Sequence, residues 1–94
     1  MPIYIYSKWR NSPIGSPSEF YSELDAQRYE IRKVEIFKNG KIGYASKSGT
    51  ACGTRLGIIP VPSTAEIKAQ SEFDIKPISK DKFEEKWREA TDKQ

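Results

Sequence analysis

Asn39-Gly40 separates two runs of strand-forming residues, Tyr29 to Phe37 and Ile42 to Ser46, and this arrangement constrains the chain more than any other feature. Asn-Gly suits a type I′ turn, whose two central residues both need positive φ. A β-hairpin with Asn39 and Gly40 at its tip is therefore predicted. Its first strand carries an unusual number of charges. Tyr29, Ile31, Lys33, Glu35 and Phe37 place two charges between apolar ends, while Glu30, Arg32, Val34 and Ile36 form the other face. Neither face is cleanly apolar, and a strict period of two puts Glu30 and Glu35 on opposite sides.

The rest of the chain reads as strands first and helices last. Ile3 to Trp9 alternates as a strand does, with Trp9 and, later, Trp87 assigned to the core. Residues 11 to 18, rich in Pro, Gly and Ser, read as a loop. Residues 19 to 24 resume an extended pattern, and residues 25 to 28 supply a turn into the charged strand. Residues 47 to 57 form a Gly-containing connection with room for a short strand around Thr54 to Leu56. The prolines in "IIPVP" keep residues 58 to 62 extended.

Ser63 and Glu66 then match a capping box and predict a short helix from Thr64 to about Gln70. Residues 71 to 78 read as an extended link. Ser79 caps a second helix in which Phe83, Trp87 and Ala90 share one stripe. Together these elements predict an α+β fold: an antiparallel sheet of four to five strands with two C-terminal helices packed on one face. Ninety-four residues suit a single domain, 1–94, with one core.

Composition narrows the chemistry. The sequence has no histidine, which removes the commonest general base, metal ligand and partner of a nucleophile. Glu30 and Glu35 on opposite faces would make poor co-ligands, and the glycines at 40, 43, 49, 53 and 57 lack the order of a phosphate-binding loop. No catalytic residue, metal or cofactor is expected. Cys52 is the single cysteine, which fits a reducing compartment, and no apolar run approaches the length of a membrane span. The expected location is the cytoplasm.

The net charge of +3 is unevenly spread. Residues 19 to 37 carry five acids against three bases, whereas residues 38 to 62 carry Lys38, Lys41, Lys47 and Arg55 with no acid. Two accounts of the charged strand follow. Its charges pair with neighbouring strands, or they belong to a polar recognition surface. On the second account the candidate partner-binding residues are Asp25, Arg28, Tyr29, Glu30, Arg32, Lys33, Glu35, Tyr44 and Arg55, because Tyr and Arg combine contact area with directed polar groups.

The strings "YSELD", "R-x-E-x-RKVEIF", "NGKIGYAS", "GTRLG", "PVPS-x-x-EI", "EF" and "IS-x-x-x-FE-x-x-W", in that order from Ile3 to Ala90, resemble a family of small bacterial domains of unknown function. The resemblance supplies no catalytic residues. It implies a compact cytoplasmic domain of the kind encoded beside secreted toxins. The function expected is that of an immunity protein, an antitoxin of a contact-dependent or polymorphic toxin system. It would bind a cognate protein toxin, a nuclease domain being the natural choice, and occlude its active site. The alternative is a small nucleic-acid-binding module that uses the basic 38 to 62 segment on phosphates.

Overall fold

A computed structural model describes residues 2 to 92. Six strands form one sheet: β1 (Ile3–Trp9), β2 (Pro17–Leu24), β3 (Glu30–Phe37), β4 (Ile42–Ser46), β5 (Gly49–Ala51) and β6 (Phe73–Pro77). Two helices complete the fold, α1 (Thr64–Lys68) between β5 and β6, and α2 (Lys80–Asp92) after β6. The α+β class and antiparallel sheet agree with the sequence reading, but the strands number six rather than four to five. The two additional strands are the short edges. β5 falls at Gly49–Ala51 instead of Thr54 to Leu56, and the link at 71 to 78 is β6, paired with β1 from Ile5↔Pro77 to Trp9↔Phe73.

The strand order is β5-β4-β3-β2-β1-β6. The first five strands make a meander, and β6 then joins the far edge. Strands lie about 4.8 Å apart, so the segment from β5 to β6 must travel across a whole face of the sheet. It carries α1 with it. After β6 the chain turns back and lays α2 on the opposite face. The two helices are thus on different faces, which corrects the expectation that both share one.

The alternation in β1 shows the separation directly. Tyr4 and Tyr6 pack toward the cluster of Tyr21, Val34, Ile42, Phe83 and Ala90, while Ile3 and Ile5 belong with Leu24, Ile75, Val61 and Ile67. The first cluster is the larger and contains the stripe foreseen on α2: Phe83 and Ala90 are buried, and Trp87 packs against them. Ser79 caps this helix by accepting a hydrogen bond from the Lys82 amide at 3.1 Å. Trp9 is only half-buried, stacked on Phe73 at 5.7 Å between ring centres.

The hairpin between β3 and β4 forms where predicted, with a different turn. Phe37 pairs with Lys41 through its amide, and the Gly40 amide donates back to the Phe37 carbonyl at 3.0 Å. The loop therefore has three residues, Lys38, Asn39 and Gly40, and only Gly40 takes a positive φ, 90°. That pattern is a type I turn closed by a glycine bulge. Asn39 contributes its side chain instead, accepting a hydrogen bond from the Lys41 amide.

Candidate functional site

The charged strand resolves into two separate networks because β3 contains a bulge. Glu23 pairs with Arg32 but the next residue, Leu24, pairs with Glu30, leaving Ile31 unmatched. An extra residue reverses the parity of everything before it. Glu30 consequently lies on the same face as Lys33 and Glu35, not with Arg32, Val34 and Ile36 as a regular strand would have it. Lys33 Nζ sits 3.1 Å from Glu30 and 3.9 Å from Glu35.

On the α2 face, Arg32 reaches Glu23 and makes a two-pronged contact with Glu84 at 3.1 and 2.7 Å. Its guanidinium also lies over the rings of Phe83 and Trp87. The hydrogen bond from Arg32 holds the Glu84 carboxyl below the usual carboxylate range, against the opposing effect of burial. Tyr4 donates to Glu23 at 2.9 Å, and burial followed by that contact pushes its hydroxyl up. Arg32 thus fastens α2 to the sheet. Tyr44 belongs to the same layer, edge-on to Trp87 at 5.3 Å.

On the α1 face the charges anchor a loop. Asp25 Oδ1 accepts from the amides of Gln27 and Tyr29, shaping the β2–β3 turn so that Arg28 adopts φ 71°. From there Arg28 donates to the carbonyls of Val61 at 2.9 Å and Pro62 at 2.7 Å, while the Val61 amide donates to the Arg28 carbonyl at 2.8 Å. Glu30 accepts the Gly57 amide, and Glu35 accepts the hydroxyl of Thr54 at 2.8 Å. Thr54 can approach this closely because position 43 is glycine: a Cβ there would meet Thr54 Oγ1 at 2.1 Å.

The loop is therefore fixed at 57 and at 61 to 62, and the residues between face water. Ile58 is 91% exposed and Ile59 is 70% exposed. Tyr29, just before β3, and Ile31 within it are exposed as well. Large apolar side chains left exposed on a pinned backbone are the mark of an interaction surface. We take the Ile58–Ile59 ridge with Tyr29 and Ile31 as the candidate site.

The sequence-derived residues divide around it. Asp25, Arg28, Tyr29 and Glu30 lie at its base, Lys33 and Glu35 lie behind them with 13% and 14% of their side chains exposed, and Arg32 and Tyr44 belong to the opposite layer. Arg55 is exposed in the crossing segment. Ile58 and Ile59 are absent from that set. Two consecutive isoleucines between Gly57 and Pro60, with no partner strand in prospect, were the available signal.

The basic segment does not form one stripe. Lys38 and Lys41 belong to the β3–β4 turn and Lys47 to the β4–β5 turn, at opposite ends of a five-residue strand, about 17 Å at 3.4 Å per residue. Lys38 is further committed to the Ser12 carbonyl at 2.6 Å.

Among the described residues no cluster of carboxylate and thiol groups has the arrangement of a metal site, and no helix is long and apolar enough to cross a membrane. Neither a curated protein nor a solved structure matches the chain. A family profile does, over residues 3–92, and on that match the chain belongs to the domain of unknown function DUF6881.

Proposed function

We propose that the domain acts by binding another protein, as an immunity protein that neutralises a cognate bacterial toxin in the cytoplasm. The observation that carries the reading is the Ile58–Ile59 ridge, two neighbouring isoleucines at 91% and 70% exposure on a loop clamped by Arg28 and Glu30. Covering one such side chain is worth about 1.5–3 kcal/mol, and a loop already ordered loses little entropy on docking. Inhibition by occlusion needs a rigid face and no catalytic group, in keeping with a chain that lacks histidine. A nuclease toxin is the natural target, with its active site covered by the seated ridge.

The test pairs the protein with any toxin-like C-terminal domain found encoded beside it, measuring growth protection on co-expression and affinity by calorimetry. Wild-type protein should protect, and the double substitution Ile58→Asp/Ile59→Asp should weaken binding at least about a hundredfold. Wild-type affinity in the double variant would remove the ridge from the interface. Failure of the wild type to protect against the neighbouring toxin would end the immunity reading. The nucleic-acid alternative would appear as binding that falls steeply with salt.

A further inference from the structure

The end of the sheet away from the clamped loop holds a cavity. Successive strands of the meander run antiparallel, so the β1–β2 and β3–β4 turns and the exit from β5 meet at one end, whereas the β2–β3 turn that ties down the loop is at the other. The turns at the first end enclose a space of about 500 Å³, and Ile14, Ser16, Phe37, Lys38, Lys41 and Cys52 are among its lining residues. That volume is within the range of small-ligand sites.

Its walls join apolar surface to unopposed positive charge. The Ser16 amide donates to the Pro13 carbonyl at 3.0 Å, and with Gly15 at φ 89° this turn holds the Ile14 side chain wholly exposed. Lys38 donates to the Ser12 carbonyl at 2.6 Å, which fixes its ammonium and leaves two of the three hydrogens unused. The Lys41 ammonium has no partner among the described residues, and no acid lines the cavity. Lys33 in β3 shows the contrast, answered by both Glu30 and Glu35. Two ammonium groups with no carboxylate between them select an anion, since a cation would be repelled and a neutral group would gain less. The Ile14 and Phe37 walls add a demand for an apolar body, which inorganic phosphate lacks. Lysine heads act as compact point charges and accept a carboxylate in any orientation, unlike the planar fork of arginine.

We propose that this cavity binds an organic carboxylate with an apolar body, its carboxylate between the Lys38 and Lys41 ammonium groups and its apolar part against Ile14 and Phe37. Two sources carry that chemistry: a free small carboxylic acid, or the C-terminal carboxylate of a chain that ends in an apolar residue. The site uses none of the residues of the isoleucine ridge.

The experiment titrates the isotope-labelled full chain with phenylacetate and its neutral counterpart phenylacetamide, and with acetyl-Gly-Phe and its C-terminal amide, while following backbone amide shifts. Phenylacetate should shift Ser16, Lys38, Lys41 and Cys52 with a dissociation constant on the order of 1 mM, about tenfold tighter than phenylacetamide. Lys41→Gln should narrow that preference and Lys38→Gln/Lys41→Gln should remove it, whereas Ile14→Ser should weaken both probes alike; dispersed spectra verify that each variant is folded. Binding of acetyl-Gly-Phe in preference to its amide at the same positions identifies a chain terminus as the source, and phenylacetate binding alone identifies a free acid. No shifts, shifts elsewhere, equal affinity for phenylacetate and phenylacetamide, or an unchanged preference in the double variant would overturn the assignment. No protein partner enters the measurement, so its outcome is independent of whether the isoleucine ridge meets a toxin.

Discussion

The two faces of the sheet are covered to different standards. On one, the thirteen-residue α2 buries Phe83 and Ala90, brings Trp87 against them and is fastened through Arg32 to Glu84. On the other, the five-residue α1 buries none of its own residues, and the segment that carries it leaves Ile58 and Ile59 in water. A helix of five residues is far below the length at which helices hold themselves together. Its position depends on the capping box at Ser63 and on the loop tied down by Arg28. One face is closed by α2, and the other, over its smaller core of Ile5, Leu24 and Ile75, leaves apolar surface open to be used. α2 and its contacts are thus the larger source of stability, whereas changes at the exposed residues of the α1 face should alter binding with little effect on folding.

The largest effect should come from removing the centre of the well-covered face. Phe83→Ala, at a fully buried position, is expected to cost about 3–5 kcal/mol in urea denaturation, a large part of the 5–15 kcal/mol that holds a typical domain. A loss below about 1 kcal/mol would mean that α2 is not the principal layer. Next comes Arg32→Ala, which leaves Glu23 and Glu84 facing each other without a cation. We expect about 3 kcal/mol, the lower end for a broken buried pair, because the Arg32 side chain keeps 22% of its exposure.

Arg28→Ala should cost less overall, about 1–2 kcal/mol, since it removes two hydrogen bonds to carbonyls. Its distinguishing result is local: hydrogen exchange at the Val61 amide should accelerate more than exchange in α2. Equal acceleration in both layers would contradict the separation of the faces.

Acid should act mainly on the α2 face. Glu84 is held below its ordinary range in the folded protein, so its contribution is present above the unfolded carboxylate value of about 4.3 and is lost as pH falls through the folded value. Stability should therefore decline at acid pH, and Glu84→Gln should flatten that decline. At the alkaline end Tyr4, Tyr6 and Tyr21 are pushed up, chiefly by burial, so their contribution is present below about pH 10 and is lost as pH rises through their folded values. The smallest effect on stability belongs to Ile58→Ser/Ile59→Ser, expected within about 0.5 kcal/mol of wild type. A substantial loss there would show that the ridge is part of the core.

What could be read from the sequence follows from where the determinants are local. Alternation in Ile3 to Trp9, the capping box at Ser63, the cap at Ser79 and the Phe83, Trp87, Ala90 stripe each lie within a few residues and point to the correct elements. The turn at Asn39-Gly40 was placed correctly but given the wrong geometry, because Lys38 joins the loop and relieves Asn39 of positive φ. Phe73–Pro77 reads as a link because it alternates weakly and ends in proline, and its identity as β6 depends on β1 offering a free edge. The assignment of helices to faces depends on the crossing from β5 to β6, which no local pattern encodes. The exposed isoleucines were missed for the same reason: whether an apolar pair is covered is decided by chain elsewhere.

The unmatched Ile31 has a consequence for anyone comparing or transplanting this strand. Because a single residue there reverses which side every earlier side chain faces, an alignment that places a gap one position away would exchange the partners of Glu30 and Arg32 while leaving the letters nearly identical. A graft of residues 32 to 37 would carry the pattern intact, whereas one begun at residue 28 would transfer correctly only onto a host strand that tolerates the same extra residue. For the register, position 31 is thus a counting mark: many other side chains would keep the count, but the residue itself could not be given up.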